Sequence, residues 1–212
     1  MNQYYPIMLN IKNRKCGVVG GGKVAHRKIL SLLEYGAEVI VVSREIIQDI
    51  EILVQKNKIQ YIEDNYNFKY ISDLYLVYAA TDEYYTNVEI YNQCSKNNIL
   101  VNVVDEPEVC NFIVPSKVKR GDLTIAISTN GKSPMLARKI REDLEKVYDD
   151  RYEIFLDVMG NVRKEAFNII KDSKRRSDFY RHIIYSDFII RLSYDNRDLI
   201  EQEIMSILMS YR

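Results

Sequence analysis

The chain has 212 residues, which is enough for one large domain or for a domain with a smaller partner, because single cores usually hold about 100 to 200 residues. Apolar residues make up 47% of the sequence and charged residues 28%, and this composition excludes an intrinsically disordered chain. Thirty Lys and Arg balance thirty Asp and Glu, so no overall positive field would draw the molecule to nucleic acid.

The first half of the chain alternates short apolar runs with helical stretches, which predicts a parallel sheet with crossover helices. The predicted strands are residues 15–19, 37–42, 59–62, 74–80 and 99–104. The predicted helices are residues 24–35, 46–56 and 87–97. The last strand is apolar on both faces, as a buried parallel strand requires.

After Asp105 the pattern changes. Residues 111–118 and 123–128 read as two strands joined by a turn, which predicts a hairpin and not another strand-helix-strand step. Ser133 as N-cap and Pro134 in the first turn begin a helix that runs to Val147. From Arg151 to the end of the chain the apolar spacing is helical throughout, so the last third is predicted to be a helical module.

A glycine motif lies directly between the first predicted strand and the first predicted helix and fits the pattern G-x-G-x-x-A. The motif consists of Gly20, Gly21, Gly22, Lys23, Val24 and Ala25. The first glycine allows a tight turn, Gly22 lets the backbone approach a pyrophosphate, and the amides of Lys23 and Val24 at the helix start face the anion. The alternative is a glycine-rich turn without a ligand. The flanking strand and helix favour a dinucleotide site.

Two further segments are candidates for contact with the cofactor. The second strand is followed by Arg44, not by the acid that usually holds the ribose 2′-hydroxyl. Arg44 could meet the 2′-phosphate of NADP, whereas Glu45 could turn back to a ribose, and a solvated loop accounts for both residues equally well. Ala80 ends the fourth strand, and Thr81 and Asp82 follow it, where they either reach the cofactor or cap the next helix.

Cysteine and histidine usage argues against metal and disulfide chemistry. The three cysteines are odd in number and far apart, without a C-x-x-C pair, and neither His26 nor His182 has a His or Cys nearby at ligand spacing, so no metal site is predicted. No apolar run approaches about 18 residues, and residues 1–14 lack the order of a secretory signal. We therefore expect a cytoplasmic chain in a reducing compartment, with no membrane span.

A set of short segments, taken in chain order, resembles one protein family. The segments are Tyr5-Pro6-Ile7, Val18 to Lys28 (VVGGGKVAHRK), Gly36-Ala37, Ala79 to Asp82 (AATD), Asn102 to Pro107 (NVVDEP), Cys110-Asn111-Phe112, Arg120 to Leu123 (RGDL), Ile127 to Pro134 (ISTNGKSP) and Leu136-Ala137-Arg138. Together they resemble the precorrin-2 dehydrogenases, the siroheme-synthase group that includes the N-terminal part of the fused bacterial enzyme and stand-alone forms. The resemblance covers roughly residues 5–145.

The resemblance implies a homodimeric enzyme that oxidises precorrin-2 to sirohydrochlorin with NAD, on the way to siroheme. The resemblance favours NAD as the cofactor. The residues themselves do not exclude NADP. Some family members also insert Fe(II), so a bifunctional dehydrogenase and ferrochelatase is one alternative, and a non-catalytic dinucleotide-sensing regulator is another. A short-chain-type dehydrogenase is not favoured, because no Y-x-x-x-K segment follows a suitable serine.

Asp105 corresponds to the functional aspartate of the family's N-V-V-D motif. It follows the last parallel strand, where open α/β sheets place their ligands, and a carboxylate there can accept the proton that accompanies hydride loss. The alternative is that Asp105 caps the turn into Pro107.

The resemblance also places Ser128 and Thr129 on the tetrapyrrole side, although as plain sequence they are only turn residues. Residues 105–141 contain seven Lys or Arg, among them Arg120 and Lys132, against four acids. This local charge of +3 predicts that the carboxylates of the substrate bind there.

The pattern along the chain predicts an α/β fold in three parts. Residues 1–113 form a Rossmann-like dinucleotide-binding domain, residues 114–147 a small hairpin-plus-helix region, and residues 148–212 an all-helical C-terminal domain. Because a two-stranded hairpin alone is marginal in water, and because the family is dimeric, the middle part is predicted to be the dimerisation region.

Overall fold

The computed structural model describes residues 4–212 and divides into two compact units, Met1–Val114 and Pro115–Arg212. Each unit has its own hydrophobic core: the first has one cluster on each face of its sheet, and the second has a cluster between helices. No helix in the described part of the chain combines the length and the apolar character that crossing a membrane requires.

The first unit is a five-stranded parallel sheet in the order β3-β2-β1-β4-β5. Its strands are β1 (Lys15–Val19), β2 (Glu38–Ser43), β3 (Gln60–Glu63), β4 (Leu76–Ala79) and β5 (Leu100–Val103). Its helices are α1 (Lys23–Glu34), α2 (Gln48–Gln55) and α3 (Tyr84–Lys96). The chain builds the sheet outward from β1 in one direction and then, from β4, in the other. This reversal opens a crevice at the carboxyl ends of β1 and β4.

The α/β prediction and all eight predicted elements of the first unit are confirmed. Strands β1, β2, β4 and β5 are mostly buried, as a covered parallel sheet requires, whereas the edge strand β3 is not. On one face α1 buries Ala25, Ile29 and Leu32, and on the other face α3 buries Ile90 and Cys94. The largest boundary error is at α3, which begins at residue 84, three residues earlier than predicted.

The second unit begins with the antiparallel hairpin of β6 (Ser116–Arg120) and β7 (Leu123–Ile127). Helices follow, namely α4 (Pro134–Val147), α5 (Arg151–Ile169), α6 (Ser173–Ile184), α7 (Phe188–Arg191) and α8 (Arg197–Ser210). As predicted, Ser133 caps α4, since its hydroxyl accepts a hydrogen bond of 3.3 Å from the amide of Leu136. The hairpin is not isolated, because α4 and α5 pack on it within the same chain.

The predicted strand 111–118 is wrong in its first five residues. The amide of Asn111 donates to the carbonyl of Val101, and its side chain accepts from the Val101 amide at 2.7 Å and donates to the Ile99 carbonyl at 3.1 Å. These bonds fasten residue 111 beside β5, and Pro115, which has no N–H, precedes the true strand. The hairpin is therefore shorter than predicted, and its turn contains only Gly121 and Asp122.

Apart from Val114, which ends the first unit, the predicted parts 114–147 and 148–212 lie within one compact unit. Helix α5 contacts β7, and the guanidinium Nε of Arg120 lies 3.2 Å from a carboxylate oxygen of Asp150. The role of residues 114–147 in dimerisation stays a prediction.

Candidate active site

An open cleft of about 710 Å³ lies at the carboxyl ends of β1, β2 and β4, where the strand order reverses. Of the predicted cofactor residues, the cleft wall contains Gly20, Gly21, Gly22, Arg44, Glu45, Ala80, Thr81 and Asp82. Lys23 and Val24 begin α1 just behind the wall, and Asp105 is not part of it. The structure thus brings three separate loops of the first unit to one site.

The fold itself requires the first two glycines of the motif. Gly20 has φ +123°, and a Cβ there would lie 2.3 Å from the carbonyl oxygen of Ala80. A Cβ on Gly21 would lie 1.8 Å from the carbonyl oxygen of Glu45. These two positions are where the β1 loop packs against the loops that follow β4 and β2.

Gly22 differs from both of its neighbours. Its backbone is extended, with φ −88° and ψ −172°, and a Cβ there would meet nothing in the described chain within 4 Å. It is the N-cap of α1, and no side chain of residues 4–212 caps the helix. The open space in front of uncapped amides matches the shape and charge that a pyrophosphate needs, so the residues present fit a dinucleotide.

The loop after β2 is held in place by short polar contacts. The Ser43 hydroxyl donates to the carbonyl of Glu45 at 2.7 Å, and the Tyr61 hydroxyl donates to the carbonyl of Ser43 at 3.0 Å. The amide of Ile47 donates to the carbonyl of Gly21 at 3.0 Å. The side chains of Arg44 and Glu45 are exposed on this fixed loop.

The loop after β4 is fastened by Asn87, a residue that the sequence analysis missed. The Thr81 hydroxyl donates to Oδ1 of Asn87 at 2.7 Å, and Nδ2 of Asn87 donates to the Thr81 carbonyl at 2.9 Å. Asn87 is buried, and an asparagine near the start of an apolar helix is the signal that could have identified it. The Thr81 hydroxyl also accepts from the Glu83 amide at 3.3 Å, but the N-cap of α3 is Glu83, so the alternative that Thr81 or Asp82 caps this helix is wrong.

The charged side chains of the cleft are mostly acidic. Among the residues that the structure describes, the one cation in its lining is Arg44, and five carboxylates share the wall with it. They are Glu45, Asp64, Asp82, Glu83 and Glu89. The Tyr70 hydroxyl donates to Asp64 and lowers the pKa of that carboxyl. One positive and five negative side chains give this described lining a formal charge of −4.

An ion pair crosses this wall. Nη2 of Arg44 lies 3.7 Å from Oε1 of Glu83, and both side chains are more than half exposed. The other carboxylate oxygen of Glu83 accepts a hydrogen bond of 2.9 Å from the Thr86 hydroxyl. The sequence analysis also missed Glu83, although an acid directly after the Ala79–Asp82 motif was a visible signal.

Asp105 lies two residues beyond β5 in a left-handed conformation, with φ +62°. The Val104 amide donates to the carbonyl of Ala79 at 3.0 Å and so ties this turn to β4. Among the described residues, the Asp105 carboxylate makes no hydrogen bond that would cap the turn into Pro107. Its side chain is exposed, as a carboxylate that receives a proton from a ligand must be.

Lys28 on α1 is a cation near Asp105 that the sequence analysis did not single out. Its ammonium lies 4.8 Å from the centre of the Tyr78 ring. Burial lowers the pKa of Lys28, and Arg27 acts in the same direction, while the negative charge of Asp105 opposes both. Lys28 and Asp105 therefore interact electrostatically within the first unit.

The candidate substrate residues belong to the second unit and do not form one cluster. Ser128, Thr129 and Lys132 share the loop between β7 and α4. Arg120 is at the turn end of the hairpin, about 17 Å from Ser128 at the usual rise per strand residue. The Ser128 hydroxyl accepts from the Asn130 amide at 3.1 Å, and the Thr129 hydroxyl accepts from the Ser133 amide at 3.2 Å.

Arg120 is engaged within its own unit, since its Nη2 donates to the carbonyl of Glu145 at 3.3 Å. Three of the seven basic residues behind the predicted positive charge are paired with acids in the structure. They lie on α4 and pair with acids four positions later, and these pairs are Arg138–Glu142, Lys139–Asp143 and Arg141–Glu145. Counting residues 105–145 adds these three acids to the earlier four, so seven basic residues face seven acids. Charge alone therefore does not identify a substrate site there.

Comparison with known proteins supports both units. Residues 7–116 match the family model described as putative NAD(P)-binding, and residues 120–146 match the model described as sirohaem biosynthesis protein central. The siroheme synthase of Photobacterium profundum is 31% identical over 207 residues, which are 98% of this chain and 44% of that protein. The siroheme synthase of Ruthia magnifica subsp. Calyptogena magnifica is 40% identical over 174 residues, 81% of this chain and 37% of that protein. The chain thus spans less than half the length of these curated relatives.

A solved structure matches over nearly the whole chain. The structure described as SirC, precorrin-2 dehydrogenase, is 27% identical, with a TM-score of 0.79, and the match covers 96% of this chain and 100% of that one. The resemblance that the motifs indicated is confirmed. The chain belongs to the precorrin-2 dehydrogenase and siroheme-synthase N-terminal-type family, and residues 7–116 form its NAD(P)-binding part.

Proposed function

We propose that the chain oxidises precorrin-2 to sirohydrochlorin with NAD as hydride acceptor, in the biosynthesis of siroheme. The observation that carries this proposal is the match to a precorrin-2 dehydrogenase, which includes the whole of that chain and both units of this one. The cleft at the reversal of strand order, with an unhindered Gly22 at a helix start, supplies the dinucleotide site that such an oxidation needs.

The residues around the cleft have distinct roles in this proposal. The α1 amides behind Gly22 hold the pyrophosphate, and the loop that carries Arg44 and Glu45 contacts the adenosine ribose. A bound nicotinamide would accept a hydride from the tetrapyrrole. The acidic cleft supports NAD over NADP, because the additional 2′-phosphate of NADP would enter a wall with a formal charge of −4.

Asp105 acts in the proposal as the proton acceptor. The oxidation removes a hydride and a proton from the tetrapyrrole, and an exposed carboxylate at the end of a parallel strand can take the proton. Ser128, Thr129, Lys132 and Arg120 stay proposed substrate contacts on the resemblance alone.

The proposed quaternary structure is a homodimer that pairs through residues 114–147. Helix α4 supports this proposal, because Met135 is 82% exposed and Leu136 and Val147 are 50% and 58% exposed. Light scattering at micromolar concentration should give a mass near twice 25.0 kDa, and a strictly monomeric mass would contradict the pairing.

Three cysteines that are buried and unpaired fit the expected reducing, cytoplasmic compartment.

The experiment that tests the function is anaerobic incubation of the protein with enzymatically made precorrin-2, with and without NAD, followed by absorbance. We expect oxidation to sirohydrochlorin only when NAD is present. A folded protein that binds NAD and leaves precorrin-2 unchanged would favour the dinucleotide-sensing regulator.

A second arm separates the two enzymatic alternatives. It adds sirohydrochlorin and Co(II) or Fe(II) without NAD. We expect at most a small acceleration over uncatalysed metal insertion. Rapid insertion that Asp105→Ala abolishes would instead establish the bifunctional enzyme.

A further inference from the structure

The Arg44–Glu83 ion pair joins two loops that reach the cofactor cleft from different strands. Arg44 follows β2 directly, and Glu83 is the N-cap of α3. The pair is 3.7 Å long, and the hydroxyl of Thr86 holds the second carboxylate oxygen of Glu83 at 2.9 Å. One oxygen of Glu83 is thus fixed by its own helix while the other faces the guanidinium.

The position of Arg44 links this ion pair to the choice between NAD and NADP. In dinucleotide folds the residue after the second strand contacts the 2′-position of the adenosine ribose, where an acid binds the hydroxyl of NAD and an arginine accommodates the phosphate of NADP. A guanidinium binds phosphate strongly through parallel hydrogen bonds. Taken alone, Arg44 would therefore favour NADP, in conflict with the acidic cleft around it.

We propose that Glu83 is a specificity-determining residue of the cofactor site, because it pairs with Arg44 and withholds the guanidinium from a 2′-phosphate. The proposal deepens the proposed function and rests on its assignment of the cleft to a dinucleotide. The carboxylate of Glu83 lowers the affinity for NADP in two ways. It pairs with the guanidinium of Arg44, and it repels the phosphate dianion that approaches the same place. The 2′-hydroxyl of NAD carries no charge and is not opposed in either way.

The cleft offers a matched control for the charge of Glu83. Glu89 lines the same cleft from the same helix, six positions after Glu83, and its carboxylate accepts a hydrogen bond of 3.0 Å from the side-chain amide of Gln93. Replacing either acid by glutamine removes one negative charge from the wall. Only the change at position 83 also releases the guanidinium.

The test compares dissociation constants of NAD and NADP by calorimetry for the wild type, Glu83→Gln, Glu89→Gln, Arg44→Gln and the Glu83→Gln/Arg44→Gln double variant. Glutamine at position 83 keeps an oxygen for the Thr86 hydroxyl. We expect the wild type to prefer NAD. In Glu83→Gln the ratio of the NADP constant to the NAD constant should fall about tenfold, which corresponds to about 1.4 kcal/mol.

Glu89→Gln should change this ratio by no more than about twofold, because the guanidinium is paired with Glu83 and the charge of Glu89 is screened by salt. The double variant should lose most of the gain seen in Glu83→Gln, since the guanidinium that would bind the phosphate is then absent. The gain should also shrink as the salt concentration rises. Circular dichroism checks that each variant is folded.

Three results would overturn the role of Glu83: equal gains in the two single acid variants, a gain that persists in the double variant, or a wild type that binds NADP as tightly as NAD. Failure of the underlying function looks different. A folded wild type that binds neither nucleotide refutes the dinucleotide site itself, whereas a wild type that binds NAD with a ratio unaffected by Glu83→Gln refutes only the ion-pair role.

Discussion

The cofactor cleft of the first unit and the β7–α4 loop of the second unit both contain a glycine in open space, but for different reasons. Gly131 has φ +77°, so the backbone of its loop accounts for a glycine there. Gly22 has φ −88°, and nothing in the described fold requires the absence of its side chain. A glycine that the backbone does not explain is the better indicator of a ligand.

Polar groups show the same difference between the two regions. In the β7–α4 loop the hydroxyls of Ser128 and Thr129 are engaged by neighbouring amides. In the cleft the start of α1 has no capping side chain from the part of the chain that the structure describes. The hydroxyls of the β7–α4 loop thus have hydrogen-bond partners within the loop. The cleft, in contrast, leaves backbone N–H donors free for a bound anion. The following substitutions test this contrast.

Gly20→Ala should have the largest effect, on stability. The added methyl group would lie 2.3 Å from the Ala80 carbonyl oxygen at φ +123°, so we expect the free energy of unfolding to fall by about 3 kcal/mol or more. Urea denaturation measures this loss. Gly22→Ala is the matched control and should cost about 1 kcal/mol or less, the difference between glycine and alanine at an N-cap. Equal losses in the two variants would contradict the distinction between these glycines.

Asp105→Asn should have the next largest effect, on the rate of oxidation. The amide keeps the size and polarity of the side chain but cannot accept the proton, so the rate should fall by about 10² or more, or about 2.7 kcal/mol in the barrier. Single-turnover kinetics with precorrin-2 measure the rate, and calorimetry should show that NAD still binds. A variant with a near wild-type rate would reduce Asp105 to a turn residue.

Gly22→Val should weaken NAD binding by more than tenfold, or about 1.4 kcal/mol, because its side chain would fill the space in front of the α1 amides. Calorimetry on a variant shown to be folded measures this change. Gly131→Ala serves as the reverse control: it should cost stability through its left-handed backbone and leave NAD affinity unaltered. Unchanged NAD affinity in Gly22→Val would remove the pyrophosphate site.

Gly160→Ala should have the smallest effect and the opposite sign. Gly160 lies inside α5, and a Cβ there meets nothing within 4 Å among the described residues. Alanine should therefore stabilise the protein by about 0.5–1 kcal/mol through its higher helix propensity. Thermal unfolding measures the gain. A destabilised variant would indicate that the exposed side of α5 is covered by a partner.

The sequence predicted the parallel sheet well because its information is local. Each strand is a short apolar run, and a glycine, a turn or a helical stretch follows it. The glycine loop was recognisable for the same reason, since its spacing and its neighbours lie within one stretch of chain. The family motifs then indicated Asp105, whose left-handed turn no local pattern would single out.

The failures share a different cause, which is contact between residues that are distant in the sequence. Residues 111–115 have the composition of a strand, but Asn111 bonds to β5 through its side chain. The Arg44–Glu83 pair joins residues 39 positions apart that only the strand order brings together.

Asn111 covers part of the exposed edge of the sheet at β5. Strand β5 ends the strand order on one side, and an uncovered edge of this kind can recruit strands from other molecules and lead to aggregation. The main-chain amide and the side-chain amide of Asn111 occupy the Ile99 carbonyl and both peptide groups of Val101, as a neighbouring strand would. One residue thus replaces a sixth strand over part of this edge, and the molecule is shielded there from intermolecular β-pairing.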